Sequence, residues 1–259
     1  MAAARTPIEA ARIALACLDL TSLDDADTDA DVIALCERAV GPHGSAAAVC
    51  VWPRFARLAR ARASARVKVA AVANFPDGST DVARTRRDID AIVQAGAQEV
   101  DVVLPWRALR AGDDAACRAL LRAARRACED LTLKVILETG ELRDAATIEH
   151  AAGLALAEGA DFLKTSTGKT PVSATPEAAS VMLRAIAADA HAKARVGFKA
   201  SGGIRTVTAA MPYLDAVEQV LGAPALGPAR FRIGASSLLA DIEAVLDARA
   251  TPASGKGTY

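Results

Sequence analysis

The sequence predicts one (β/α)8 barrel, a single-domain α/β fold. Eight short apolar runs rich in Val, Ile, Leu and Ala recur along the chain, each closing in polar or turn residues and most followed by a helical pattern. Alternating strands and helices force right-handed crossovers, which build either an open doubly wound sheet or a closed barrel, and eight units favour closure. The length of 259 residues would also allow two small domains, but it matches one barrel, and no linker rich in Pro, Gly and Ser interrupts the alternation.

In chain order the runs are Ile13 to Leu20, Ala47 to Val51, Val67 to Ala73, Glu99 to Leu104, Leu131 to Leu137, Ala160 to Lys164, Arg195 to Ala200 and Phe231 to Ala235. Helical patterns fill Asp29 to Val40, Arg54 to Ala65, Thr80 to Ala95, Asp114 to Glu129, Arg143 to Glu158, Pro176 to Ala190 and Ser237 to Ala248. Pro176 suits a first helical turn, with Thr175 as its cap. The barrel is expected over residues 1–250, with residues 251–259 a flexible tail.

Only 3% of the residues are aromatic against 52% hydrophobic, so the core must be built from small and branched side chains. Lys plus Arg equals Asp plus Glu at 31 each, which leaves no overall field to draw the chain to nucleic acid or an acidic membrane. A small molecule is the expected partner. Cys17, Cys36, Cys50, Cys117 and Cys128 are odd in number and contain no CxxC, which argues for reduced thiols over disulfides or zinc. Met1 to Ala16 carries Arg5, Glu9 and Arg12 and lacks an unbroken apolar stretch, so a cytoplasmic location is expected. His43, His150 and His191 show no ligand spacing, and neither a metal nor another cofactor is expected.

Arginine outnumbers lysine 24 to 7, so each remaining lysine is informative. Arginine can hold a charge or a phosphate, but it is effectively never deprotonated and cannot act as an amine nucleophile. Lys134, Lys164, Lys169 and Lys199 lie in or just after the fifth, sixth and seventh runs, at the end of a barrel where chemistry gathers. Asp19 and Thr21 close the first run, Cys50 lies in the second, Asp101 in the fourth, and Glu138 follows the fifth. Charged lysines among Val135, Phe162 and Phe198 would cost several kcal/mol each without partners. A purely structural alternative is an ion-pair network in which Asp101 and Glu138 neutralise these amines. The functional one is a lysine whose pKa burial and a neighbouring cation have lowered, with Lys164 as nucleophile and Lys199 as perturbing cation.

Two glycine-rich segments follow the seventh and eighth runs, Ser201-Gly202-Gly203 and Gly234-Ala235-Ser236-Ser237. Such loops let backbone amides approach a phosphate, and a helix N-terminus favours an anion. Thr167, Gly168 and Lys169 add a polar loop beside them. Each segment also has a plain reading, in which the glycines turn the chain and Ser236 caps a helix. Cys50 reads first as a buried small hydrophobe.

From Leu18 to Ser237 the chain resembles the deoxyribose-phosphate aldolase family. The resemblance rests on Leu18-Asp19-Leu20-Thr21-Ser22-Leu23, Asn74-Phe75-Pro76, Glu99-Val100-Asp101-Val102-Val103, Glu138-Thr139-Gly140, Phe162-Leu163-Lys164-Thr165-Ser166-Thr167-Gly168-Lys169 and Gly197-Phe198-Lys199. It implies reversible cleavage of 2-deoxy-D-ribose 5-phosphate to D-glyceraldehyde 3-phosphate and acetaldehyde, within deoxyribonucleoside catabolism. It further implies that Lys164 forms a Schiff base, Lys199 lowers its pKa, and Asp101 with a water relays protons, supported by Lys134. Asp19, Thr21, Cys50 and Gly234 would contact substrate, while Thr167, Gly168, Lys169, Gly202, Gly203, Ser236 and Ser237 would surround the phosphate. A homodimer is the assembly admitted. Tyr259 matches a terminal tyrosine of some members that relays protons. Ala200 stands where relatives often have proline and Ser201 where they have a smaller residue, departures that touch the phosphate side. Two alternatives stay open: a lysine aldolase acting on a keto sugar phosphate or keto acid, and a non-catalytic phosphosugar-binding barrel.

Overall fold

The computed structural model describes residues 5–248. The eight strands are β1 Leu18–Thr21, β2 Ala48–Val51, β3 Lys68–Ala73, β4 Glu99–Val103, β5 Thr132–Ile136, β6 Phe162–Lys164, β7 Gly197–Ser201 and β8 Phe231–Ala235. Each pairs in parallel with its sequence neighbours, and β1 pairs with both β8 and β2, so the sheet closes. A small hairpin, Val40–Gly41 with Gly44–Ser45, stands apart from the barrel.

The outer helices are α1 Pro7–Ala16, α2 Asp29–Arg38, α3 Ala56–Arg62, α4 Val82–Gln94, α5 Trp106–Arg110, α6 Asp114–Ala127, α7 Thr139–Leu142, α8 Ala145–Ala157, α9 Pro176–Ala188, α10 Ala190–Arg195, α11 Val207–Leu221 and α12 Leu238–Asp247. Most of them begin at a side-chain cap. Thr28, Asp81, Asp113, Asp144, Thr175, Asp189 and Thr206 each accept a backbone N–H near the start of their helix, satisfying a donor that has no partner within it.

Several elements depart from the sequence reading, three of them with a clear local cause. The first apolar run is mostly helix, because Thr6 and Glu9 form a capping box with Pro7 at the first turn, and Ala10, Ala11, Ala14 and Leu15 fall on one buried helical face. The strand begins only at Leu18. Between β7 and β8 the sequence reading placed no helix, yet α11 is the longest of all. Pro212 within it lacks a donor for the preceding turn and hides the pattern, but Val207, Ala210, Tyr213, Leu214 and Val217 still share a buried face. The stretch from Arg143 to Glu158 starts as α8 only at Ala145, since Arg143 has φ 68 and Asp144 provides the cap.

Residues paired at one level of a parallel sheet point to the same face, so register decides which side chains meet inside the barrel. Lys164 lies level with Lys199, Lys199 with Arg232, and Asp101 with Lys134.

Candidate active site

The barrel interior holds a connected set of charges where aliphatic side chains would ordinarily sit. Lys134, Lys199, Asp19 and Asp101 are fully buried, Lys164 and Glu99 are 2% exposed, and Arg232 is 5% exposed. Isolated ions at such depth would be prohibitively costly, so their pairing decides whether the barrel can close at all.

Asp101 sits at the centre. Its Oδ1 accepts from Lys134 Nζ at 2.7 Å, and its Oδ2 accepts from both Lys164 Nζ at 2.9 Å and Lys199 Nζ at 2.8 Å. Lys199 also donates to Asp19 Oδ2. Asp19 Oδ1 in turn accepts from Arg232 Nη1 at 2.6 Å. Glu99 receives both guanidinium nitrogens of Arg232, at 3.1 and 2.7 Å, and lies 2.6 Å from Lys134 Nζ.

This wiring separates the three amines. Burial alone would discharge Lys199, but Asp101 and Asp19 outweigh it and hold its pKa above the ordinary lysine value. Lys134 follows the same pattern, with Asp101 and Glu99 as the opposing anions. Lys164 goes the other way: burial lowers its pKa, Asp101 opposes, and the Lys199 ammonium lowers it further. Its share of the carboxylates is one oxygen that Lys199 also uses. Burial works against ionised Asp101 as well, yet Lys134, Lys164 and Lys199 keep it well below the usual carboxylate range.

Glu138 does not join this set. Its backbone is left-handed at φ 58, and its carboxylate accepts from Thr167 N at 3.3 Å, Thr167 Oγ1 at 2.5 Å and Thr170 Oγ1 at 3.2 Å. The reading in which Glu138 neutralises the lysines is therefore corrected; it ties down the loop after β6. Burial raises its pKa, and the threonine bonds oppose that rise.

At the carboxyl end of the strands a cavity of about 470 Å³ opens, lined by Thr21, Thr167, Gly168, Lys169, Gly202, Gly203, Gly234, Ser236 and Ser237 from the sequence reading. Ser22, Ser201 and Arg205 line it too. Lys164, Lys199, Asp101, Lys134, Asp19 and Cys50 do not: Lys164 is 2% exposed and the others are fully buried, the charged groups within the ion pairs and Cys50 with its thiol pKa pushed up by burial. Tyr259 lies outside the described residues.

The glycines serve two different ends. Gly202 has φ 91, and a Cβ there would stand 2.5 Å from Ser173 Cβ, so only glycine fits. At Gly234 the obstacle is local to the charge set: a Cβ would lie 3.0 Å from Lys199 Cε and 2.7 Å from Ser201 Oγ. Ser237 stands at the start of α12 without a side-chain cap bond, so neither serine is consumed by capping in the way the plain reading required.

The sequence reading missed Glu99, Arg232 and Arg205 as site residues. The first two carried the same signal as the lysines, a charge inside an apolar run, but arginine was discounted for its abundance. Arg205 lies one residue before the cap of α11, a helix that the sequence reading did not place.

A profile of the DeoC/LacD family aldolases matches residues 13–244. The chain is 45% identical to a deoxyribose-phosphate aldolase of Agrobacterium fabrum over 256 residues, covering 98% of this chain and 97% of that one. It superposes on an apo-form crystal structure from Toxoplasma gondii ME49, there provisionally assigned as a deoxyribose-phosphate aldolase, with TM-score 0.85 at 26% identity, covering 93% of this chain and 97% of the other. The deoxyribose phosphate aldolase of Aeropyrum pernix, described as a tetramer, gives TM-score 0.69 at 26% identity over 92% of each chain.

Proposed function

The chain belongs to the DeoC/LacD family of aldolases, and on that premise we propose that it cleaves 2-deoxy-D-ribose 5-phosphate reversibly to D-glyceraldehyde 3-phosphate and acetaldehyde through a Schiff base on Lys164. One observation carries the mechanism. Of three amines gathered on Asp101, Lys164 is the one bonded to a single carboxylate oxygen, which it shares with Lys199, while Lys134 and Lys199 each reach a second carboxylate; burial accordingly lowers its pKa.

Neutral Lys164 attacks the aldehyde carbon of the open-chain sugar, and loss of water leaves an iminium. The sugar's C3 hydroxyl gives up its proton, the C2–C3 electron pair moves toward the iminium nitrogen, and the bond breaks. Glyceraldehyde 3-phosphate departs, leaving an enamine on Lys164. Protonation at the enamine carbon and hydrolysis then release acetaldehyde and restore the amine. Asp101, acting through a water, is the proposed relay for these protons. Lys199 stays charged throughout and disfavours a second cation at Lys164, while Lys134 anchors the other oxygen of Asp101.

The substrate phosphate is assigned to the cavity rim. Lys169 and Arg205 supply two exposed cations there, and the first turn of α12, beginning at Ser237, points orphan N–H groups and the positive end of its dipole the same way. The five cysteines are free, which suits a reducing compartment, and the cytoplasm is the proposed location. No described helix is long and apolar enough to cross a membrane.

Incubation with acetaldehyde and borohydride, followed by peptide mapping, tests the mechanism. A permanent adduct on Lys164 is expected, and a label on another residue overturns it. Assays with dihydroxyacetone phosphate or pyruvate in place of acetaldehyde test the substrate, and preference for either would overturn that assignment.

A further inference from the structure

Among the described residues the charges within the barrel balance once Lys164 is set aside. Three carboxylates, Asp19, Glu99 and Asp101, face three cations, Lys134, Lys199 and Arg232. Lys164 is the fourth cation of the group and has no carboxylate of its own. Arg232 creates this shortage. It binds both oxygens of Glu99 and Oδ1 of Asp19, anions that would otherwise be available to the lysines. Its guanidinium lies 5.7 Å from the Phe162 ring, and its Nε donates to the carbonyl of Pro228, so its position is set from several sides.

We propose that Arg232, paired with Glu99, is a positioning residue of the reaction: it uses up the buried negative charge and thereby keeps Lys164 an uncharged amine. The inference deepens the Schiff-base reading and rests on it for its functional meaning. Among the described residues Arg232 has no hydrogen bond or ion pair to Lys164 and does not line the cavity, and it acts through the chain Arg232, Asp19, Lys199, Asp101, Lys164.

The groups around Lys164 from the surrounding elements are Asp101 on β4, Lys199 on β7, Cys50 on β2 and Glu138 after β5, with Lys134 on β5 reached through Asp101, Asp19 and Glu99 one bond further away and Arg232 one bond beyond those two. With Arg232 neutral, three carboxylates would face two fixed cations and Lys164 would be drawn to protonate. With Glu99 neutral, three cations would face two carboxylates, Lys134 would depend more heavily on Asp101, and Lys164 would be harder to protonate. Opposite shifts from the two halves of one ion pair cannot come from damage to the fold.

Titration of the substrate-free full chain, labelled with ε-13C lysine and followed by NMR, reads Lys164 directly; its signal is identified by its loss in Lys164→Met. Arg232→Met is expected to raise the Lys164 midpoint by about one pH unit, the size expected of a unit charge acting at an effective dielectric near 20. Glu99→Gln should lower it by a similar amount. The double variant Arg232→Met/Glu99→Gln should return it to near the wild-type value, as should Arg232→Lys. An unmoved midpoint in folded Arg232→Met, or shifts of the same sign in the two single variants, overturns the proposal. If Arg232→Met alone does not fold, Glu99→Gln and the double variant, which strands no charge, still test the sign. Because no aldehyde is present, the result is independent of adduct mapping: an absent Schiff base would leave these shifts in place, and absent shifts would leave the Schiff base in place.

Discussion

The barrel interior and the cavity above it are both polar, yet they are built on opposite terms. Inside, Asp19, Asp101, Lys134 and Lys199 are fully buried and mutually paired, and among the described residues no buried side-chain nitrogen or oxygen lacks a hydrogen-bond partner. At the rim, Lys169, Arg205, Ser236 and Ser237 are exposed, and Ser237 begins a helix without spending its hydroxyl on a cap. A closed network can set the charge of one amine because water cannot screen it, whereas an open rim can bind and release an anion because its groups are hydrated and unspent. In the proposed function reactivity belongs to the interior and recognition to the rim, and Glu138 bonds to Thr167 at the edge of the cavity.

The most severe way to break this division is Lys164→Arg. It keeps a cation but removes the amine that can lose its proton, and turnover should fall by at least roughly 10⁴-fold while the circular dichroism spectrum stays native. A variant that retained turnover would move the chemistry away from Lys164.

Next in size is Asp101→Asn, which strands ammonium groups in a dry interior and should cost about 3–5 kcal/mol in chemical denaturation. The sign of its pH dependence is fixed by the lowered Asp101 pKa. A carboxyl whose pKa is lower folded than unfolded contributes its full stability above the ordinary value of 3.8, and that contribution is lost as pH falls through the folded value. The gap between wild type and variant should accordingly narrow in strong acid. A constant gap would mean that Asp101 contributes by packing and not by charge.

Glu138→Gln sharpens the boundary between the two regions. Its carboxylate orders the loop bearing Thr167, Gly168 and Lys169, so the variant should raise KM for the phosphorylated sugar about tenfold, equivalent to roughly 1–2 kcal/mol, with little change in kcat. Turnover of unphosphorylated 2-deoxyribose should be unaffected. Equal losses on both sugars would place Glu138 with the reactive interior instead.

The smallest effect is expected for Ser237→Ala, a severalfold rise in KM with an unchanged Tm, since no cap bond is lost. Thr175→Ala is the control: it removes a cap bond to Ala178 N and should cost about 1 kcal/mol of stability without altering KM. A Tm loss in Ser237→Ala would return that serine to a structural role.

Much of this was legible before folding. Eight apolar runs with helices between them, lysines where arginine is the chain's habitual cation, and glycines before two helices identify the barrel, its charged strands and its rim, because periodicity and residue chemistry are local properties. Pro212 obscured α11, and the capping box at Thr6 turned an apparent strand into helix, both being cases where a turn of backbone outweighs composition. Tertiary structure alone decided the partners. Asp19 and Lys199 are 180 positions apart and Arg232 and Glu99 are 133 apart, and only barrel closure and strand register bring them together. Which of three similar lysines has its charge disfavoured depends on how a few carboxylate oxygens are shared in three dimensions, a matter of distances in a medium of low dielectric that no linear spacing encodes.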